Sequence, residues 1–247
     1  MGQVCWIIAG ATSAIAMRFA QVVAMQGDQL ILLGRDDKKL AAIQADLQIR
    51  YAVSVDYLFF DAVKTELHSS IANACIQLAK GPIHLFIAVG LMIPGESIAH
   101  SANEAATMIN ANLTSAVSLS FAFLPHFQAQ KQGEILVLGS VAGDRGRPPN
   151  FDYGAAKAGL ATFCEGLRGA LMPDNVSVTL MKLGYIDTPM TYGKKGLFPA
   201  ASPLACAQAC LRAAKKKLAI VYYPSFWQWI MFIFKRLPQF ILYRFKV

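Results

Sequence analysis

Seven short apolar runs, residues 4–9, 29–33, 51–60, 83–89, 133–138, 176–183 and 218–222, recur along this chain with amphipathic stretches between them. Runs of that length bounded by turn residues read as strands buried on both faces, and the stretches between are long enough for helices. Strands alternating with helices pair in parallel, because a parallel neighbour requires a crossover of about a dozen residues or more. The expected fold is therefore α/β: a doubly wound, seven-stranded parallel sheet with helices on both faces. In such a sheet ligands bind beyond the strand C-terminal ends, so chemistry-bearing residues are sought there.

No Pro/Gly/Ser-rich or charged linker divides the chain, so one domain is expected over residues 1–222, followed by a compositionally distinct segment at 223–247. Hydrophobic residues make up 55% and charged residues 15%, which supplies a large core and excludes disorder. Five scattered cysteines, Cys5, Cys75, Cys164, Cys206 and Cys210, favour a reducing compartment over a disulfide framework. His68, His84, His100 and His126 show no metal-ligand spacing, so no metal is expected. The first residues run straight into a strand without a secretory signal, which points to the cytoplasm. Of the net charge of +8, much of the excess falls in the last quarter, from Lys194 to Lys246, which suggests an anionic surface partner.

Ser140 ends the strand-like stretch 134–140, and Tyr153 and Lys157 follow it four residues apart, on one face of a helix expected over residues 151–171. An ammonium beside a phenol, together with a cofactor cation, favours phenolate and makes Tyr153 a usable general acid or base. The Ser140 hydroxyl suits a hydrogen bond to a carbonyl or alcohol oxygen. Hydride transfer at a C=O/CH–OH centre is the implied reaction. The spacing Tyr-x-x-x-Lys alone also fits an ordinary solvated helix face.

The first run leads into Gly10-Ala-Thr-Ser-Ala-Ile-Ala16, a turn through which backbone N–H groups can approach a pyrophosphate at a helix N-terminus. This turn, with a serine thirteen residues before the tyrosine of Tyr-x-x-x-Lys, resembles the short-chain dehydrogenase/reductase family over about residues 4–214. The resemblance implies a Rossmann-type sheet, a nicotinamide dinucleotide, and Asn112, Ser140, Tyr153 and Lys157 as the catalytic set. Asn112 would hold a proton-relay water through its backbone carbonyl, with Asn110 as the competing position. Gly10, Thr12, Ser13, Ala14 and Ile15 would cradle phosphate, with Ala14 and Ala16 standing where the family has glycine. Asp61 and Ala62 would meet the adenine, although Asp61 also fits a plain helix N-cap. Ala88, Val89 and Gly90 would approach a ribose, Ala88 standing where an asparagine is common. Ile186 and Thr188 would orient the carboxamide, in a segment where Leu183 replaces a proline. Residues 190–203 would form a substrate lid.

Arg35 follows Gly34, where a carboxylate would otherwise meet a ribose diol, so NADP(H) is favoured and NAD(H) stays open; a solvated loop charge is the plainer reading of Arg35. The helices expected over residues 103–127 and 151–171 would pair with symmetry mates, giving a homodimer or homotetramer. The tail resembles those of membrane-associated bacterial members acting on polyprenyl-linked keto-sugars. Its aromatic, aliphatic and basic residues, Phe226, Trp227, Trp229, Ile230, Phe234, Lys235 and Arg236, suit a segment in the headgroups of an anionic membrane at its cytoplasmic face. Packing across a subunit interface is the competing reading, and nucleic acid fits poorly. The expected substrate is a small-molecule or lipid-linked carbonyl; the alternatives are a 3-oxoacyl thioester or other ketone, and a catalytically silent NADP(H)-binding sensor.

Overall fold

A computed structural model describes residues 3–190 and 200–244. Its centre is a seven-stranded parallel sheet with strand order β3-β2-β1-β4-β5-β6-β7. The strands are β1 (Cys5–Ala9), β2 (Gln29–Gly34), β3 (Val55–Phe59), β4 (Ile83–Ile87), β5 (Gly133–Ser140), β6 (Val176–Leu183) and β7 (Ile220–Tyr223). The helices between them are α1 (Ala14–Ala24), α2 (Asp37–Tyr51), α3 (His68–Leu78), α4 (Ala102–Ile109), α5 (Ser115–Gln130), α6 (Phe151–Leu171) and α7 (Pro203–Lys215). The chain ends in α8 (Phe226–Phe234) and α9 (Gln239–Arg244). Ile7 of β1 pairs with Ile31 of β2 on one side and with Leu85 of β4 on the other, both in parallel. The strand order therefore switches direction at β1/β4, where a doubly wound sheet opens its ligand crevice.

Alternation along β1 shows why its run is wholly apolar. Trp6 and Ile8 face a core with Phe19 of α1 and Cys210 of α7. Cys5, Ile7 and Ala9 face a second core with Cys75 of α3, Phe123 of α5 and Leu160 of α6. Both faces are covered, so neither set of alternating positions can be polar. Each large side chain so buried stabilises the fold by roughly 2 kcal/mol. All five cysteines are free and buried. Among the described residues the helical stretch Ala102–Gln130 is long and apolar enough to cross a membrane, yet Met108, Ala116, Leu119, Phe123 and Phe127 along it are buried in the protein.

The run 51–60 is shorter as a strand than expected. Tyr51 is the last residue of α2, and Ala52 closes that helix at φ 53°, its N–H bonded to the Gln48 carbonyl, so extended backbone begins only at Val55. The expected helix over 103–127 is α4 and α5 joined by a π-type turn at Asn110–Thr114. The lid expected over 190–203 falls largely on residues 191–199, which lie outside the described residues.

Candidate active site

The strand C-terminal ends surround a cleft of about 340 Å³ lined by Thr12, Ser13, Ala14, Ile15, Ala88, Val89, Gly90, Ser140, Tyr153, Lys157, Ile186 and Thr188. An adjoining hollow shares Thr12, Ser13, Ala88, Val89 and Gly90 and adds Gly10, Arg35, Asp61 and Ala62. The two form one groove, so the sequence-derived set converges on one place apart from Asn112, which lies behind it.

Gly10 bends the chain at φ +80°, and a Cβ there would stand 3.0 Å from the Ala88 backbone. Only glycine permits that approach. Ser13 caps α1, its Oγ accepting from Ala16 N–H at 3.3 Å. The N-terminus of α1 thus opens on the cleft, and its positive end suits a pyrophosphate. Ala14 and Ala16 adopt helical backbone that needs no glycine, and Ala16 is buried without obstruction. Asp61 caps a turn rather than a helix, its Oδ1 accepting from Val63 N–H at 3.4 Å. Arg35 is exposed at the rim of the hollow. Sequence reasoning missed Lys39, which lines the cleft and donates from Nζ to the Thr12 carbonyl at 3.0 Å. The Gly10 turn and the N-terminus of α1 fit the anionic bridge of a dinucleotide.

Asn112 sits in the π-type turn and is buried, whereas Asn110 is exposed and accepts from Thr114. The Asn112 Nδ2 donates to the carbonyls of Leu91 at 2.6 Å and Met108 at 2.9 Å, and Oδ1 accepts from Leu91 N–H at 3.2 Å. Its side chain therefore braces the loop after β4.

Tyr153 and Lys157 project from one face of α6, which opens with Asp152 in its first turn. Lys157 Nζ donates to the Leu138 carbonyl at 3.0 Å and lies 5.8 Å from the centroid of the Tyr153 ring. Ser140 ends β5, its Oγ accepting from Ala142 N–H at 3.1 Å. Burial pushes the Tyr153 phenol up to about 12, with the Ser140 hydroxyl pulling the other way. Burial also pushes Lys157 down to about 8. Desolvation is the first cause of both shifts, and the Lys157 ammonium is turned to the Leu138 carbonyl.

The C-terminal segment packs on the rim of this cleft. Trp227 lies against Gly184, where even a methyl group would collide, and edge-on to Tyr185, ring centroids 5.5 Å apart. Asp144 accepts from Lys182 and, at 2.7 Å, from the Tyr222 hydroxyl, while Arg145 donates to the carbonyls of Lys235 and Leu237 at 2.9 Å. Of the residues expected to meet a membrane, Trp227 is buried and Phe226, Ile230 and Phe234 pack beside it. Trp229 remains exposed, and Phe232, Ile233 and Phe240 join it at the surface.

The family model for short chain dehydrogenases matches residues 5–195. The chain belongs to that family and is an oxidoreductase of the carbonyl/alcohol level. An uncharacterized oxidoreductase of Mycobacterium tuberculosis is 28% identical over 236 residues, covering 95% of this chain and 94% of that protein. A sulfoacetaldehyde reductase of Chromohalobacter salexigens is 31% identical over 200 residues, covering 80% of this chain and 78% of its own. A short-chain dehydrogenase of Sphingobium yanoikuyae, solved in complex with NADPH, shares the fold with a TM-score of 0.81 at 23% identity, covering 95% of this chain and 96% of its own.

Proposed function

We propose that this protein is an NADP(H)-dependent reductase of a carbonyl, or dehydrogenase of the matching alcohol, in which Tyr153 exchanges the proton on oxygen. The observation that carries the reading is the convergence of Ser140, Tyr153 and Lys157 on one cleft with the Gly10 turn. A bound nicotinamide supplies the hydride. Gly10, Thr12, Ser13, Ala14 and Ile15 bind the phosphates; Ala88, Val89 and Gly90 approach the ribose; Ile186 and Thr188 orient the carboxamide; Asp61 and Ala62 take the adenine. Ser140 holds the substrate oxygen against Tyr153. Lys157, low enough near pH 8 to gain and lose a proton, passes protons on from the side braced by Asn112. Arg35, with Lys39 near the phosphates, favours the 2'-phosphorylated cofactor, and the structural neighbours solved with NADPH and with 5-hydroxy-NADP agree with that preference.

Tyr153→Phe is expected to lower NADPH-dependent turnover by about a hundredfold to ten-thousandfold, with NADPH affinity by fluorescence titration nearly unchanged. Wild-type-like turnover in that variant would end the assignment. Tight NADPH binding by the wild type, with no oxidation across ketones, aldehydes, 3-oxoacyl thioesters and lipid-linked keto-sugars, would instead favour a sensor.

A homodimer or homotetramer pairing through α5 and α6 goes with this reading. So does peripheral contact with an anionic membrane through Trp229, Phe232, Ile233 and Phe240 beside Lys235 and Arg236, a surface that would suit a lipid-linked carbonyl.

A further inference from the structure

Beside the cleft lies a second hollow of about 390 Å³ that shares Tyr153, Pro189 and Met190 with it and is otherwise walled by the loop after β4 and the start of α6. This wall is residues 92–95, a segment without helix or strand that Gly95 turns at φ +103°. On one side it is tethered at Leu91 by Asn112. On the other it meets a cluster that the cofactor reading does not use.

In that cluster Asp152 is 6% exposed and accepts three hydrogen bonds. Ser97 Oγ and the Tyr153 N–H, at 2.7 Å, donate to Oδ1, and His100 Nδ1 lies 2.6 Å from Oδ2. The other ring nitrogen of His100, Nε2, faces the Pro94 carbonyl at 3.3 Å. Both nitrogens of one imidazole thus face oxygen acceptors. A neutral ring has one donor, so only the imidazolium satisfies both contacts. A cation there also answers a carboxylate that is almost out of water, beside the favourable N-terminus of α6.

We propose that Ser97, His100 and Asp152 are positioning residues for the reaction at Tyr153, a latch that clamps the 92–95 wall to the first turn of α6 while His100 is protonated. Closed, the latch fixes the Tyr153 backbone and the substrate side of the pocket together. As His100 loses its proton, the remaining Nδ1–H stays on Asp152, Nε2 and the Pro94 carbonyl become two facing acceptors, the ion pair with Asp152 is lost, and the wall loosens. The groups facing His100 are Asp152 of α6, Glu104 of α4 and the Pro94 carbonyl of its own loop. All three favour the cation, and the Asp152 hydrogen bond, the largest cause, raises the His100 value above that of a free histidine. Raised folded-state affinity for the proton means the clamp is complete at mildly acid pH and is lost as pH rises through the His100 titration.

The inference rests on the proposed function only in assigning this hollow to the substrate; the clamp itself is read without substrate, so the two can fail separately. Hydrogen–deuterium exchange of the full chain would follow the peptide over residues 91–101 between pH 6 and 9 in wild type, His100→Asn, His100→Ala and Asp152→Asn, each ratio taken at one pH so that intrinsic exchange cancels. Asparagine keeps a donor toward Asp152 at every pH. At pH 6 the wild-type peptide should exchange at least tenfold more slowly than that of His100→Ala, and the gap should close as pH rises. His100→Asn should show no such pH dependence, and Asp152→Asn should bring the His100 proton resonance back toward that of a free histidine. A wild-type to His100→Asn ratio that stays flat from pH 6 to 9, or equal exchange in wild type and His100→Ala at pH 6, would overturn the proposal. Should His100→Ala not fold, the His100→Asn comparison decides.

Discussion

Lys157 is a buried ammonium, and its burial carries a stability cost that can be measured without any substrate. Its folded-state value of about 8, against 10.5 for a free lysine, corresponds to about 3 kcal/mol of destabilisation wherever both states bind the proton. Lys157→Met keeps most of the apolar stem in its packed position and removes the charge. It also removes the hydrogen bond to the Leu138 carbonyl, which costs about 1 kcal/mol. The expected net gain is about 2 kcal/mol at pH 7, or roughly 4–8 °C in Tm for a chain of this size. Between pH 8 and 10.5 the unfolded lysine holds its proton while the folded one has lost it, so wild-type stability rises with pH there and the advantage of the variant shrinks.

Other groups titrate nearby with the opposite sign. Cys5, Cys75 and Cys164, raised by burial to about 12, keep their protons in the folded state above pH 9 and so lower stability as pH climbs. Both proteins share those thiols, and of the three only Cys164 also feels the Lys157 charge, so the difference between them reports Lys157 together with its coupling to Cys164. Urea unfolding at pH 7, 8, 9 and 10, at fixed protein concentration and followed by circular dichroism, gives that difference directly. A Lys157→Met protein no more stable than wild type at pH 7, or an advantage that persists unchanged at pH 10, would refute the argument that desolvation sets the lysine's proton affinity.

Arg35→Ala is expected to weaken NADPH about tenfold or more, through loss of about 1.5–3 kcal/mol of charge-assisted hydrogen bonding, and to leave NADH nearly unaffected; fluorescence titration with both cofactors checks it, and equal loss for both would remove Arg35 from the 2'-phosphate role. At the C-terminal segment, Trp229→Ser with Phe232→Ser changes exposed residues only, so folding should be untouched while sedimentation with phosphatidylglycerol vesicles is lost. A wild type that ignores such vesicles would remove the membrane reading, and a change of oligomeric state in the double variant would make this surface a subunit contact.

What the sequence made legible, and what it did not, divides along the range of the interactions involved. The strands of the sheet were readable because burial on both faces leaves few polar positions, and α6 because Tyr153 and Lys157 share one face over a long apolar period. The groove residues from Gly10 to Ile186 were proposed from the resemblance to the short-chain dehydrogenases, whose motif positions follow in order along the chain, and they line one groove. The Asp152 clamp was not, since Ser97 and His100 lie more than fifty positions away and nothing local marks them as partners. The tail was read as one apolar surface because composition cannot show that Gly184 leaves room for Trp227, which divides α8 into a face packed on the cleft rim and a face left exposed.

The two long-range features meet at the same structural problem. The strand ends of an open sheet supply the cleft floor, but its walls are irregular segments that must be held by contacts from elsewhere in the chain. Here Asn112 and the Asp152 cluster hold the wall after β4, while Trp227 and the Asp144–Lys182–Tyr222 contacts hold the wall after β6. A chain that fixes both walls from outside the reacting set can keep Ser140, Tyr153 and Lys157 constant and change the substrate by changing the anchors. For that reason substitutions at Ser97, His100 or Trp227 should move substrate KM more than cofactor affinity, the reverse of what Arg35 does.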